Sequence, residues 1–195
     1  MTQRSFKAFS LSVIIFLTAF GFGVSAAYAE ICRWAWRDLD MTAFGFVAPD
    51  QTPVTDSSFV RRASDRNMLE VALGEMAQER GSNPAVKQFG QKMAAEYTLA
   101  GNRLLEIAER DRLQVPTDMD MRDYRVRLRL SELNGRDFDR AYIDYVIRDQ
   151  KKDLTLFEKM ANEGTNPDLR GYACDFLLDL HVHLRTARRI YGGIT

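Results

Sequence analysis

From Val86 onward, apolar side chains recur at three- and four-residue intervals: Val86, Phe89, Met93, Tyr97, Leu104 and Ile107 fall on one side of a helix. The same spacing links Ile143, Val146, Gln150, Leu154, Phe157 and Ala161, and again Leu169, Ala173, Phe176, Leu180, His183 or Leu184, and Ala187. Such spacing over many turns marks amphipathic helices that pack on a shared core. It predicts helices over 84–112, 137–163 and 167–191. A less regular series, Phe59, Ala63, Leu69, Ala72, Leu73 and Met76, predicts another over 57–80.

The pattern contains a repeat. Gly81-Ser82-Asn83-Pro84-Ala85-Val86-Lys87-Gln88-Phe89 matches Gly164-Thr165-Asn166-Pro167-Asp168-Leu169-Arg170-Gly171-Tyr172 at an offset of 83 residues. Upstream, Glu70-Val71 aligns with Asp153-Leu154, Leu73 with Leu156 and Glu75 with Glu158. Each motif reads as a corner between two helices. Gly81 and Gly164 are expected to close the first helix in the left-handed conformation. Asn83 and Asn166 are expected to cap the second, with Pro84 and Pro167 at its first position, where a missing N–H costs nothing. One helical hairpin is therefore used twice.

The connection at 113–136 is too long for a tight turn. Pro116-Thr117-Asp118 can start a helix of about 16 residues, which would reach ~24 Å and cross most of a helical bundle. The run Tyr124–Leu130 alternates with period two, a strand pattern. With no second strand to pair with, helix is the reading preferred. The expectation is an all-α, ferritin-like four-helix bundle over 56–191, built of two repeated hairpins and one crossover.

The first 29 residues stand apart. Arg4 and Lys7 precede an uncharged stretch from Ala8 to Ala29, dense in apolar residues between Leu11 and Phe20 and ending in Ala27-Tyr28-Ala29. A charged start, an apolar run of roughly 10–15 residues and an A-x-A site define a secretory signal peptide. The alternative is an uncleaved anchor, against which Gly21, Gly23 and Ser25 dilute the apolar run. Glu30-Ile31 before Cys32 argues against a lipoprotein. The sequence has 27 basic and 27 acidic side chains; removing Arg4 and Lys7 leaves 25 against 27, a formal charge of −2. That balance argues against non-specific nucleic-acid binding, which needs a basic field. Residues 30–55, with Trp34, Trp36, Phe44, Phe46, Pro49 and Pro53, read as an irregular arm, its aromatics laid on the bundle or free to touch a membrane or partner. Cys32 and Cys174 can pair in an oxidising compartment and pin this arm to the last helix; two free or buried thiols are the alternative.

Phe59-Val60-Arg61-Arg62-Ala63, Leu69-Glu70-Val71-Ala72-Leu73-Gly74 and Ser82-Asn83-Pro84-Ala85-Val86-Lys87-Gln88-Phe89-Gly90-Gln91-Lys92-Met93 resemble the domain of unknown function 4142 family. So do Phe138-Asp139-Arg140-Ala141-Tyr142 and Leu156-Phe157-Glu158-Lys159. The resemblance runs from about Ser57 to Ile190. It implies a ferritin-like bundle in a bacterial envelope protein, outer-membrane or periplasmic, and carries no agreed activity. Members commonly have Asp-His in the second and third long helices and a His in the fourth. Here those positions read Glu96-Tyr97, Asp149-Gln150 and His183, so two of three histidines are absent.

Ferritin-like di-iron sites place Glu-x-x-His pairs on two helices, so that both ligands project to one side. The only histidines, His181 and His183, follow Leu178 and Leu180 at that spacing, which removes such a centre. A weaker candidate is a polar layer of Glu70, Tyr97, Gln150 and His183, each near mid-helix on or beside the seam. Asp179 is placed to orient the His183 ring. The plainer reading is a hydrogen-bonded layer that sets helix register. His181 reads as a solvent-facing or interfacial side chain. Glu75 and Glu158 are paired by the repeat but read as surface charges. Met68, Met76, Met93 and Met160 fit core packing rather than a copper site. The cluster Arg122, Arg125, Arg127 and Arg129 is a solvated face, or a contact for an anionic surface such as lipid headgroups. No Walker loop, G-x-S-x-G elbow or paired nucleophile and base is present. The sequence thus points to a non-catalytic periplasmic protein, without cofactor or resident metal, in an interaction or stress-related role. Its partner would be an unknown envelope protein or an anionic surface. The alternative is a bundle that sequesters a divalent ion in its core.

Overall fold

The Thr55 hydroxyl accepts from the Ser58 N–H at 3.2 Å while the Ser58 hydroxyl accepts from the Thr55 N–H at 3.1 Å. This reciprocal cap starts α1, Asp56–Arg80. The computed structural model describes residues 54–194. Four further helices follow: α2, Pro84–Arg110; α3, Met121–Ser131; α4, Gly135–Glu163; and α5, Pro167–Ile194. Among the described residues the protein is all-α, with no sheet. Its helices pack chiefly as two hairpins, α1 with α2 and α4 with α5; α2 also meets α5, α1 meets α4, and α3 lies across α1 and α4.

The apolar seams face inward. Val86, Phe89, Met93, Tyr97, Leu104 and Ile107 of α2 are all buried, as are Leu169, Ala173, Phe176, Leu180 and Ala187 of α5. The hairpins meet through aromatic rings. Phe59 of α1 packs edge-on against Phe157 of α4 at 5.1 Å between centroids, and Tyr97 of α2 does so against Phe176 of α5, also at 5.1 Å.

The two corners hold their shape differently from the sequence expectation. Gly81 has φ −64° and Gly164 φ −57°, so neither is left-handed. The glycine is required by crowding instead. A Cβ on Gly81 would lie 2.6 Å from the Ala77 carbonyl oxygen and 2.9 Å from an Asp139 carboxylate oxygen, and one on Gly164 would meet the Met160 sulfur. Beyond the glycines, Asn83 Oδ1 accepts from the Ala85 N–H at 2.8 Å, and Asn166 Oδ1 from those of Asp168 and Leu169 at 2.9 and 3.1 Å.

Each corner is tied to the other hairpin. Asp139, in the second turn of α4, accepts from the Ser82 N–H, from the Asn83 N–H at 2.9 Å and from the Ser82 hydroxyl at 2.6 Å. At the opposite end the Asn166 amide donates to Asp111, just after α2. A second close approach lies within the first hairpin, where a Cβ on Gly74 would sit 2.5 Å from the Gly90 carbonyl oxygen.

The crossover helix is shorter than expected. It starts at Met121 rather than near Pro116, because Asp120 is its cap: the Asp120 carboxylate accepts from the Asp123 N–H at 2.8 Å. The alternating run Tyr124–Leu130 lies wholly within this helix. α4 begins at Gly135, earlier than expected; its φ of +60° is a left-handed value that glycine takes without strain. None of the described helices is long and apolar enough to cross a membrane.

Candidate functional site

The densest polar chemistry gathers around Arg66. This side chain leaves α1 toward α4 and is only 6% exposed. Asp149 and Asp153, four residues apart on one face of α4, reach it together: Asp149 pairs with Nη1, and Asp153 lies 3.3 Å from Nε. Asp123, brought in by the first turn of α3, stands 3.7 Å away. Tyr145 closes the ring; its hydroxyl accepts from Arg66 at 2.8 Å and donates to Asp149 at 3.0 Å. Burial disfavours the Arg66 charge, but Asp153 and Asp149 outweigh it and raise the guanidinium further above its ordinary value. Burial likewise pushes Asp153 upward; Arg66 pulls it back and Asp149 adds to the rise. At the rim, Lys152 approaches Asp149 at 3.5 Å and Arg122 approaches Asp123 at 3.6 Å. The cluster is an ion network whose buried cation comes from the chain itself, with one oxygen each of Asp123 and Asp153 left without a hydrogen-bond partner.

One turn along α1 lies Glu70, fully buried. Neither of its carboxylate oxygens has a hydrogen-bond partner. Burial, reinforced by Asp149 and Asp153, raises its pKa well above the ordinary value, so the folded group holds its proton to higher pH than the unfolded one. This fixes a pH dependence. The unfolded chain releases the Glu70 proton above about pH 4.5 whereas the folded chain retains it, so rising pH favours unfolding. The loss is about 1.4 kcal/mol per pH unit until the folded group itself ionises. Glu70→Gln is expected to flatten this slope and to raise stability at pH 7 by about 1–3 kcal/mol. Urea denaturation of both proteins between pH 5 and pH 8 measures it; parallel slopes would refute the assignment.

The structure brings the other layer residues together in part. The Gln150 amide donates to the Tyr97 hydroxyl at 2.7 Å in the core. His183 is fully buried and lies beside Tyr97, with ring centroids 5.8 Å apart. Its Nε2 meets a carboxylate oxygen of Glu96, on α2, at 2.6 Å. The acceptor is therefore Glu96 and not Asp179, which is half-buried nearby and close enough to feel both groups. The His183 hydrogen bond, aided by Lys92, holds Glu96 below the ordinary carboxylate range. An ionised Glu96 can only accept, so Nε2 is the donor in this contact, while Nδ1 has no hydrogen-bond partner. Among the described residues no group of three or more His, Cys, Asp or Glu side chains is placed to hold a metal ion.

The remaining candidates lie apart. Glu75 is exposed, and Glu158 is half-buried with its pKa raised by burial. His181 is half-buried, and burial lowers its pKa. Cys174 is disulfide-bonded. Cys32 and residues 30–53 of the arm expected over 30–55 lie outside the described residues, as does the expected signal segment.

Sequence reasoning passed over Arg66, Asp123, Asp149, Asp153 and Glu96 as site residues. A signal was available for three of them. The offset of 83 that aligns Glu70 with Asp153 also aligns Arg66 with Asp149. The hairpins thus present opposite charges at one equivalent position, and those two side chains touch.

The family model described as "Domain of unknown function (DUF4142)" matches residues 43–190, and the chain belongs to that family. No curated protein matches it. Among solved structures it is similar to one described as "putative secreted protein DUF305 from Streptomyces coelicolor". The TM-score is 0.62 at 12% identity, with 72% of this chain and 94% of that one covered. At that identity the likeness concerns the fold.

Proposed function

We propose that this member of the DUF4142 family is an exported, non-catalytic protein of the bacterial envelope that acts by binding a partner through its surface. Its scaffold reads as a ferritin-like four-helix bundle of two repeated hairpins with one crossover. The observation that carries the reading is Arg66. Its guanidinium lies among Asp149, Asp153 and Asp123, so the buried carboxylates that could attract a cation already have one supplied by the chain itself. The core polar groups then serve to join α1, α3 and α4. Support for export comes from the Ala27-Tyr28-Ala29 signature and from the description of the Streptomyces coelicolor protein as secreted. The periplasm is the compartment proposed.

Elemental analysis of protein recovered from the periplasm tests this. The expected result is less than stoichiometric metal, and a melting temperature unchanged by chelator. One equivalent of bound metal, lost on His183→Ala, would overturn the reading in favour of ion sequestration.

A further inference from the structure

On α3 the usual order of a surface helix is reversed. Asp123 and Leu130 point into the protein and are buried, as an inner face should be. The opposite side carries Met121 and Leu128, 64% and 51% exposed, and Tyr124, 47% exposed, flanks them toward α1, where Tyr124 and Leu128 border a cleft with Glu75 and Glu79. An outward face would ordinarily be polar. Here an apolar ridge crowns it, about 11 Å long at 1.5 Å per residue.

The flanks of the ridge are basic. Arg125 and Arg129 lie along one side, fully in solvent, and neither forms an ion pair among the described residues. Arg127 lies on the other side, in a cleft it shares with Glu75 and Glu79 of α1. The one acid within the helix, Asp123, is buried against Arg66. At the ends, Asp120 and Glu132 serve as caps. The exposed surface of α3 therefore combines large apolar side chains with two arginines, Arg125 and Arg129, that have no ion-pair partner among the described residues, although the chain as a whole is balanced.

We infer that α3 is a docking helix for the surface of an anionic phospholipid bilayer, lying in the interface with Met121, Tyr124 and Leu128 inserted and its arginines on the phosphates. A helix of this character buries its apolar face about 5–10 Å into the headgroup boundary, and basic residues add attraction to anionic lipid. Tyrosine, with an apolar ring and a polar tip, suits that depth. A second copy is the poorer occupant, because a two-fold contact would set Arg125 and Arg129 against their own equivalents. The inference rests on the surface-acting reading above and names its partner.

The test is co-sedimentation of the protein, as processed in the cell, with vesicles of phosphatidylcholine alone or mixed with phosphatidylglycerol. Wild type is compared with Leu128→Glu and with the double variant Arg125→Glu/Arg129→Glu. Residues 1–53 are common to all three, so differences report on α3. Wild type is expected to bind the phosphatidylglycerol vesicles selectively and to weaken as salt is raised. Charge reversal should reduce partitioning at least about 25-fold, taking about fivefold per arginine. Leu128→Glu should reduce it at least about tenfold. Both changes are at exposed positions, and unchanged circular dichroism and melting confirm that the variants fold.

Equal binding to both vesicle types, or binding untouched by the variants, would overturn the proposal. So would a dimer in sedimentation equilibrium that Leu128→Glu dissolves, which would make a second copy the occupant. Failure to bind by metal-free protein defeats the lipid inference alone. Stoichiometric metal in the same preparation would instead defeat the reading beneath it.

Discussion

Arg66→Met is expected to lower stability by about 3–5 kcal/mol at pH 7, enough to leave much of the protein unfolded. Methionine matches the length of the arginine stem and is at home in a core, so packing alone would cost little. The damage is electrostatic. With the guanidinium gone, Asp149 and Asp153 stay buried beside each other, with Lys152, Arg62 and Arg122 only at the rim. The pKa of Asp153, already raised by burial, must then rise further above that of an unfolded aspartate, about 3.9, because Arg66 no longer pulls it back, and the sign follows. Below that value both states are protonated and the variant loses least; as pH rises the unfolded chain ionises freely, and stability falls. Urea denaturation followed by circular dichroism should therefore show the deficit growing from pH 4 to pH 7. Arg66→Met combined with Asp149→Asn and Asp153→Asn should recover most of it, since no buried charge is then left without a counterion. A single variant within about 1 kcal/mol of wild type would mean that the network is not the joint between α1 and α4.

Asp139→Ala should cost at least about 3 kcal/mol, because it removes one ionised acceptor that serves three donors of the first corner. Two of those donors are backbone N–H groups of Ser82 and Asn83, which precede α2 and have no helical acceptor of their own. Ser82→Ala removes only the hydroxyl at 2.6 Å and should cost about 1 kcal/mol. Amide hydrogen exchange gives a local readout. In Asp139→Ala the Ser82 and Asn83 amides should exchange faster than those at the Asn166 corner, which is tied to Asp111 instead. Equal exchange at both corners would show that Asp139 is no clamp.

The long helices were legible because their seams need only one-dimensional information. Val86 to Ile107 and Leu169 to Ala187 repeat at the helical period, and nearly every seam position is buried. The corners were recognised from Gly, Asn and Pro, but the reason for glycine was not. A left-handed turn is a local property, whereas the crowding at Gly81 comes partly from Asp139, more than fifty residues away along the chain. The crossover failed by length for a similar reason: Pro116-Thr117-Asp118 can start a helix in sequence, and only the structure shows Asp120 as the cap.

The site was half legible. Tyr97, Gln150 and His183 lie on apolar seams, where a polar residue draws notice. Arg66 does not, because it follows Arg61 and Arg62 in a run that reads as a wet surface. Its burial depends on α3 covering that side, and Glu96 is drawn to His183 by a neighbouring helix. Both are tertiary effects.

The opposite charges at the aligned positions Arg66 and Asp149 bear on what this chain could have descended from and what can be rebuilt from it. A homodimer of the first hairpin would confront Arg66 with Arg66, yet each would also find Glu70 of the other copy where Asp153 stands here; a homodimer of the second would gather Asp149 and Asp153 from both copies with no cation among them. The second half should therefore refuse to pair with itself, whatever symmetry its backbone retains. Two hairpins expressed as separate polypeptides should find each other, the second depending on the first for its one buried cation.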